Sequence, residues 1–180
     1  GALQWSPVSD FGAELGLIHQ AERLRMALTF PRQPTLGGLI LIREHLKDAK
    51  PELRPDLSLD QLLGTWIGQA TTVFPDWQPE QSMDTQLTLR SLEAGIVEQS
   101  LQFSGAPSIR SQGIQDGQRL QFQQGQQPMT VLMLPNGASA TFPASIQPGR
   151  PLFLEVGWLI EPHFRQRLIR RYDSRGTLAS

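Results

Sequence analysis

The side chains best suited to binding chemistry are arginines concentrated in one segment of the sequence. Five of them lie within eleven positions: Arg165, Arg167, Arg170, Arg171 and Arg175. The whole sequence has 16 basic and 17 acidic side chains, which gives a formal net charge of −1. Because binding to polyanions requires an excess of basic charge, we expect no nucleic-acid binding by the molecule as a whole. The arginines therefore predict a local positive patch on a nearly neutral protein.

Arg170 and Tyr172 are the strongest candidates for a ligand site. Two positions apart on a strand, they share one face, where the guanidinium can pair with a carboxylate and the hydroxyl can donate to it. Trp158 is predicted to stand on the same wall and contact an apolar body, and Gln99 to supply a further polar point. Other interpretations stay open. Arg170 can pair with an internal acid or backbone carbonyls, or lie at a solvent-exposed barrel mouth, and Trp158 can simply fill the core.

The sequence shows no recognisable signature of catalysis or metal binding. The three histidines are far apart and lack metal-binding spacing: His19, His45 and His163. There is no nucleophile elbow, phosphate-binding loop or dinucleotide fingerprint, and the acids near Trp77 form no evident catalytic pair: Asp76, Glu80 and Asp84. Zero cysteines exclude disulfides, thiolate metal sites, cysteine nucleophiles and thioether attachment of a chromophore. We predict no catalytic or metal-binding residue, and a binding protein is favoured over an enzyme.

β-Strands are the elements that must position these residues. Apolar and polar residues alternate over most of the sequence, and turn residues such as Asp116-Gly117 and Asn136-Gly137 interrupt the alternation. The predicted strands are Ala13–His19, Arg23–Phe30, Leu36–Glu44, Gly64–Phe74, Thr85–Leu92, Ile96–Phe103, Ser108–Gln115, Arg119–Gln123, Met129–Leu134, Ala138–Ile146, Leu152–Ile160 and Arg165–Asp173. Many short antiparallel strands usually close into a barrel or a sandwich. Ser58 and Gln61 predict one helical turn ahead of the first barrel strand.

Three segments are predicted along the chain. Residues 1–46 form a three-strand segment, 47–57 a charged linker with two prolines, and 58–180 an antiparallel barrel. No apolar run approaches the length of a membrane span, and the first residues lack the basic and apolar regions of a signal peptide. We therefore expect a cytoplasmic protein without membrane attachment.

One hairpin pattern occurs twice in the sequence. The segment from Glu14 to Leu36 reappears, with a single insertion, as the segment from Glu155 to Leu178. The second copy replaces three apolar residues: Leu17 by Trp158, Leu28 by Arg170 and Phe30 by Tyr172. The first copy shows that the fold accepts apolar residues at these positions, and burial of an unpaired arginine is costly. The replacement therefore favours a ligand at Arg170.

The repeat also predicts which side chains face the core. In the first copy the apolar side faces inward: Leu24, Met26, Leu28 and Phe30. By correspondence, the inward residues of the second copy are Leu154, Val156, Trp158, Ile160, Gln166, Leu168, Arg170 and Tyr172. Glu155, Arg165 and Arg167 then face outward. A cross-strand ladder of ion pairs is the simplest expectation for these charges, and a docking surface for an acidic partner is the alternative.

The two copies differ at their C-terminal ends. The first continues into the strand Leu36–Glu44, whereas the second stops at Ala179-Ser180, where that strand should begin. We therefore expect the barrel of residues 58–180 to lack its last strand. Leu36–Glu44 is predicted to fill the vacant position, within the molecule or from a neighbour, and a homo-oligomer formed through unpaired strands is one consequence.

Several segments resemble a known family. Gly64-Thr65-Trp66, after a helical turn, is similar to the Gly-x-Trp that begins lipocalin-type barrels. The other segments that carry the resemblance are 59–68, 75–77, 132–137, 153–160 and 165–173. Together they resemble a cyanobacterial family of lipocalin-like (calycin) proteins of unassigned function, distantly similar to S-type phycobiliprotein lyases. The resemblance implies an antiparallel lipocalin-like β-barrel, a bilin as ligand class and a phycobiliprotein as partner. No catalytic residue of the lyases can be placed on this sequence.

These observations predict a binding protein for a hydrophobic small molecule that bears a carboxylate. A noncovalently held bilin, another tetrapyrrole or a fatty acid would fit, with Arg170 and Tyr172 as anchors. Two alternatives stay open. An interaction or chaperone protein for phycobiliproteins would use the outward arginines, and a bilin lyase would transfer the chromophore to an acceptor protein.

Overall fold

The structure is a computed structural model that describes residues 11–31, 34–76, 81–125 and 127–180. These residues form twelve β-strands and two short 3-10 turns, Glu93–Gly95 and Pro135–Gly137. The strands are β1 (Phe11–His19), β2 (Glu22–Phe30), β3 (Gly38–His45), β4 (Gly64–Thr72), β5 (Gln81–Ser91), β6 (Ile96–Phe103), β7 (Ile109–Asp116), β8 (Arg119–Phe122), β9 (Met129–Met133), β10 (Ala138–Pro143), β11 (Leu152–Glu161) and β12 (Phe164–Tyr172). The all-β prediction is confirmed. Trp77 and Glu80 lie outside the described residues, which contain no helix long and apolar enough to cross a membrane.

The strands form two antiparallel sheets. β1, β2 and β3 make a three-stranded sheet, and β4 to β12 follow one another in sequence order through a nine-stranded sheet. The larger sheet curls into a half-barrel, which is consistent with the predicted lipocalin-like barrel. Its two end strands, β4 and β12, are not hydrogen-bonded to each other in the described part of the chain. Within the residues that the structure describes, the half-barrel therefore has an open seam between β4 and β12.

The predicted helical turn precedes β4. The backbone N–H groups of Leu62 and Leu63 both donate to the carbonyl oxygen of Leu59, at 2.8 and 3.1 Å. The Ser58 N–H donates to Gln61 Oε1 at 2.8 Å, which is the return half of a capping box. Leu59 and Leu62 are buried, so this turn covers one end of the half-barrel.

The first of two hydrophobic cores lies between the sheets. Apolar side chains of β1 and β2 pack there against those of β10, β11 and β12. The predicted inward residues of β2 are all 0% exposed: Leu24, Met26, Leu28 and Phe30. Trp158 of β11 is 1% exposed on the facing sheet. Full burial of such side chains contributes about 1.5 to 3 kcal/mol each, so this core holds the sheets together.

The second core fills the concave side of the nine-stranded sheet. Its buried members are Leu57, Leu59, Leu62, Leu87, Leu89, Val97, Leu120, Phe122, Met133 and Leu159. β11 lies between both cores, because Trp158 belongs to the first and its neighbour Leu159 to the second. A strand of this kind is buried on both faces and has no solvent side.

The prediction that Leu36–Glu44 completes the larger sheet within the molecule is wrong, and its completion by a neighbouring molecule stays a prediction. β3 pairs with β2 in the three-stranded sheet, in a register that places Glu44 opposite Arg23. The local hairpin prevails because Leu39 and Leu41 of β3 pack against the first core. β3 thereby satisfies its backbone groups and buries its apolar face without leaving its neighbour.

The linker of residues 47–57 is less solvated than its charge predicts. The Arg54 side chain is only 5% exposed and donates to Glu22 Oε2 at 2.7 Å and to the Ile160 carbonyl oxygen at 2.9 Å. Glu22 lies in the three-stranded sheet and Ile160 in the half-barrel, so one guanidinium joins both. Leu57 is 1% exposed, in the second core. The linker thus ties the sheets together.

Candidate functional site

The two copies of the repeat form hairpins with the same register. In the first, Leu17 lies opposite Leu24 and Ala13 opposite Leu28. In the second, the corresponding pairs are Trp158 with Gln166 and Leu154 with Arg170. Every replaced residue therefore occupies the place of its counterpart, and Trp158, Arg170 and Tyr172 share one face, as predicted.

That face is covered by the three-stranded sheet. Tyr172 is 2% exposed, and its ring packs edge-on against Phe11, with 5.3 Å between the centroids. The Arg54 guanidinium carbon lies 4.9 Å from the centroid of the Trp158 ring, a cation–π contact. Arg170 is half-buried. The predicted anchors thus lie among core side chains, and the predicted ligand role of this group stays a prediction.

Two polar atoms in this region have no hydrogen-bond partner among the described residues. They are Trp158 Nε1 and the Tyr172 hydroxyl, both buried. Burial raises the pKa of Tyr172 above its ordinary value of 10.0, and the nearby Arg170 guanidinium opposes this effect. Arg170 thus acts on Tyr172 mainly through its charge, since the hydroxyl lacks a well-formed hydrogen bond.

Gln99 lies on the other side of the nine-stranded sheet. It is half-buried and shares the concave face with Val97 of the second core, two positions away on β6. The structure therefore does not bring Gln99 together with Trp158, Arg170 and Tyr172. The described residues form two separate cores: the inward side of β6 faces the one inside the half-barrel, whereas that of the second hairpin faces the one beneath the three-stranded sheet.

A charged cluster formed by Glu155, Arg165 and Arg167 lies on the concave face of β11 and β12. The prediction that Glu155 faces solvent is wrong: this residue is 4% exposed, and the side chains of Arg165 and Arg167 are 8% and 31% exposed. Arg167 donates from Nε and Nη2 to the two carboxylate oxygens of Glu155, at 3.0 and 2.6 Å. The face of β11 opposite Trp158 also points into the protein interior, towards the second core, and the charged cluster lies on this buried face.

The electrostatics of the charged cluster are unbalanced. Burial opposes ionisation of Glu155, but the charge and hydrogen bonds of Arg167, helped by Arg165, keep the pKa of this carboxyl below 4.5. Burial, together with repulsion from Arg167, lowers the pKa of Arg165 to about 10, and Glu155 offsets this only in part. Two guanidinium groups share one carboxylate, so the cluster carries a net charge of +1.

Arg165 is the least satisfied member of the charged cluster. Its Nη2 donates to Ser139 Oγ at 3.0 Å and lies 3.9 Å from Glu155 Oε1, but its buried Nε has no partner in the described chain. Its guanidinium lies across Gly157, where a Cβ would be 2.7 Å from Nη2. Because Gly157 has no side chain, it leaves room for the Arg165 guanidinium. Sequence reasoning missed Arg165 as a site residue, although the repeat identifies its counterpart as Arg23.

The counterpart cluster in the first hairpin is balanced. Arg25 Nε donates to Glu14 Oε1 at 2.5 Å, and Arg23 Nε donates to Glu44 Oε2 at 2.7 Å. Two arginines thus meet two glutamates there, with the second acid supplied by β3. The comparison between hairpins is the signal that singles out Arg165, since its Nε lacks the carboxylate that Arg23 has.

A cleft of about 520 Å³ opens at one end of the seam. It lies between the linker, the start of β4 and the turn from β11 to β12, and Arg54, Gln61, Trp66, Leu159 and His163 are among its lining residues. Within residues 11–31, 34–76, 81–125 and 127–180, no group of three or more acidic or histidine side chains could hold a metal ion.

The three-stranded sheet packs against the open nine-stranded half-barrel, and a cluster of buried arginines lies inside the half-barrel. The chain is therefore an all-β half-barrel protein. Residues 53–180 match the family described as Biogenesis factor required for ATP synthase 1, C-terminal domain, and the chain belongs to that family. Residues 1–49 match a domain of unknown function, DUF3598, N-terminal. No curated protein matches the chain.

A solved structure of a DUF3598 protein is similar to the chain over almost its full length. The crystal structure of a protein with unknown function from the DUF3598 family of Nostoc punctiforme is 42% identical to the chain, with a TM-score of 0.94 over 99% of it. The chain spans 66% of the length of that relative. The predicted resemblance to a cyanobacterial family of unassigned function is confirmed. The more distant similarity to lipocalins and S-type lyases stays a prediction.

Proposed function

We propose that the chain is a protein-interaction module that serves the assembly of a larger complex. The observation that carries this proposal is the charged cluster, in which a buried arginine has a donor without a partner among the described residues, beside an open seam. A net positive charge at such a place favours an acidic partner. The family description, a biogenesis factor required for ATP synthase, suggests the class of partner.

The surface around the charged cluster supports a protein partner. Arg171, on β12, and Arg175, in the turn that follows it, are exposed, so the arginine-rich segment extends from the interior to the surface. By contrast, the residues predicted to anchor a small molecule, Trp158 and Tyr172, are covered by the three-stranded sheet. An acidic protein surface can reach the exposed arginines directly, and such contacts raise association rates and weaken with salt.

Binding of the purified catalytic sector of a cyanobacterial ATP synthase to the immobilised chain tests the proposal. We expect binding that weakens steeply between about 50 and 300 mM salt, because the Debye length falls from about 14 to 6 Å over that range. Replacing Arg171 and Arg175 by Glu should abolish most of it, whereas Arg110→Glu, on exposed β7, is the matched control. A phycobiliprotein, the other predicted partner, is the comparison arm. The proposal is contradicted if neither protein binds the chain. It is also contradicted if Arg110→Glu weakens binding as much as the replacement of Arg171 and Arg175 does.

A second candidate function is noncovalent binding of a hydrophobic carboxylate, such as a bilin, another tetrapyrrole or a fatty acid. It is favoured by the two buried donors without partners in the described chain, Trp158 Nε1 and the Tyr172 hydroxyl, which a ligand oxygen would satisfy. Arg170 would pair with the carboxylate. Such a ligand requires the two sheets to separate locally, because the first core occupies the space between them.

Fluorescence titration with oleate and with biliverdin tests this second function. Arg170→Leu restores the residue of the first hairpin, Leu28, and should weaken binding at least about tenfold if the guanidinium holds the carboxylate. Arg171→Leu, at the exposed neighbouring position, is the matched control. Equal affinities of the Arg170→Leu variant and the unmodified chain contradict the anchoring role.

A further inference from the structure

The cleft of about 520 Å³ contains two acidic side chains that are available to a ligand. Asp60, in the helical turn, and Glu161, at the end of β11, both line the cleft and are both exposed. Neither carboxylate has a hydrogen bond or an ion pair within the part of the chain that the structure describes. Both can therefore accept hydrogen bonds from a ligand.

The walls of the cleft come from the interior of the sequence. The lining residues lie within 54–66, at Gly137 and within 159–163. None of them belongs to β12 or to the segment that follows it. The shape of the cleft thus depends on contacts between the linker, the helical turn and the end of β11.

Arg54 also lines the cleft, but its charge is already paired. Its side chain is 5% exposed and donates to Glu22 Oε2 at 2.7 Å, to Glu52 Oε2 at 2.8 Å and to the Ile160 carbonyl oxygen at 2.9 Å. Two carboxylates are thus its partners. A ligand in the cleft therefore meets the negative charge of the two unpaired acids.

The charged cluster does not neutralise these acids either. Arg165 lies opposite Leu159, which lines the cleft. Its guanidinium, however, lies across Gly157 and donates to Ser139 Oγ at 3.0 Å, two residues further along β11. The excess charge of the cleft is therefore negative.

Apolar side chains form the rest of the cleft wall. Trp66 is half-buried, and its Nε1 donates to the Leu62 carbonyl oxygen at 2.9 Å, which fixes the orientation of the ring. Leu63 and Leu159 also line the cleft. Because the indole N–H is already bonded, the ring offers its aromatic surface to a ligand. Such a surface suits stacking with a flat cation.

The acidic cleft and the exposed arginines are separate surfaces. Arg171 lies opposite Phe153, eight residues from Glu161 along β11. At about 3.3 Å per residue this separation is about 26 Å, which exceeds the Debye length of about 8 Å at physiological salt. One chain can therefore contact an acidic and a basic surface at the same time.

We propose, resting on the proposed interaction function, that the cleft binds an arginine side chain from a basic segment of a partner protein. The guanidinium stacks on Trp66 and donates to Asp60 and Glu161, and the apolar stem lies against Leu63 and Leu159. Charge complementarity selects a cation. The indole ring favours the planar guanidinium over an ammonium group.

The probe is the peptide acetyl-Gly-Leu-Arg-Leu-Gly-amide, titrated into the ¹⁵N-labelled chain. The readout is the indole N–H signal of Trp66, assigned with Trp66→Phe, and we expect this signal to shift as peptide is added. The same peptide with citrulline, which keeps the shape of arginine without its charge, should bind at least about tenfold more weakly, because charge-assisted hydrogen bonds are lost. A lysine peptide should also bind more weakly, and equal affinity of that peptide overturns arginine as the occupant.

Variants of the two acids locate the peptide. Asp60→Asn combined with Glu161→Gln should weaken binding of the arginine peptide at least about tenfold. The Tm should not change, because both side chains are exposed. Asp84→Asn, on the exposed face of β5, is the matched control. The proposal is overturned by equal affinities of the citrulline and arginine peptides, by an equal loss with the control, or by an unshifted Trp66 signal at about 10 mM peptide.

Binding of the ATP synthase sector separates this proposal from the proposed function. If the peptide does not bind but the sector still binds through Arg171 and Arg175, the proposed function stands and the cleft proposal is overturned. If the arginine peptide binds in the cleft but neither the sector nor the phycobiliprotein binds the chain, the proposed function alone is overturned.

Discussion

Arg167 holds both carboxylate oxygens of Glu155 across neighbouring strands, at 3.0 and 2.6 Å, inside the concave side of the half-barrel. A forked pair of this kind is geometrically specific and stronger than a single hydrogen bond. Because Arg165 lies beside it, Glu155 is the counter-charge of two guanidinium groups. Its removal therefore has a larger effect than the loss of one surface ion pair.

Glu155→Gln is expected to lower the free energy of unfolding by about 3 kcal/mol, because it leaves buried guanidinium groups without a counter-charge. Urea unfolding followed by tryptophan fluorescence measures this change. The repeat provides the control, since Glu14→Gln removes the corresponding acid where its side chain is 49% exposed. We expect no measurable loss there, and equal losses at the two positions contradict the account of the charged cluster.

The stability difference between the unmodified chain and Glu155→Gln should depend on pH. The pKa of Glu155 lies below 4.5 in the folded state, so its contribution is fully present above that value and is lost as pH falls through the folded pKa. The difference should be constant at neutral pH and shrink in more acidic buffer. Glu93→Gln, at an exposed turn, is the control, and a difference that stays constant into strongly acidic buffer argues against the pairing.

Tyr172 should titrate above its ordinary pKa of 10.0 in the folded chain, because burial disfavours the phenolate. It is the sole tyrosine in the sequence, so absorbance at the phenolate band reports it alone. Arg170→Leu should raise the midpoint further, since the guanidinium opposes the effect of burial, whereas Arg171→Leu should not. The linked stability is present below pH 10 and lost as pH rises through the folded pKa. A native midpoint equal to that of the denatured chain contradicts this prediction.

Gly157→Ala is expected to destabilise the fold by about 1 to 3 kcal/mol, because the new methyl group would meet Ser139 Oγ at 2.5 Å and Arg165 Nη2 at 2.7 Å. Gly68→Ala is the matched change on an exposed strand, where the nearest atom lies at 3.7 Å. That change should be neutral or stabilising. Thermal unfolding measures the Tm of both variants. An unchanged Tm for Gly157→Ala would mean that Arg165 can leave its place at little cost in stability.

The strand pattern and the repeat predicted much of the fold. Alternation located the strands, and the correspondence between Leu17 and Trp158 placed both hairpins in the same register. What alternation cannot distinguish is whether the polar side of a strand meets water or a second interior. Glu155 was assigned to solvent for this reason, although β11 is buried on both faces.

The site was harder to predict than the fold. Arg170 and Tyr172 share a face as expected, but that face meets the three-stranded sheet, and the packing between two sheets is not encoded in the period of either. Arg54 illustrates the same limit, because a charged residue between prolines predicts a solvated loop unless its distant partners, Glu22 and Ile160, are known. The position of β3 depended likewise on competition between local and distant pairing.

The guanidinium of Arg54 has a consequence for how the molecule folds. The matches to the two family descriptions meet between residues 49 and 53, next to this side chain, which bonds Glu22 on one side and Ile160 on the other. The first core likewise takes its side chains from both segments. We therefore expect the two segments to unfold as one cooperative unit, and calorimetry should show a single unfolding transition whose calorimetric and van't Hoff enthalpies agree. The boundary between the two family matches is then not a boundary between parts that unfold independently.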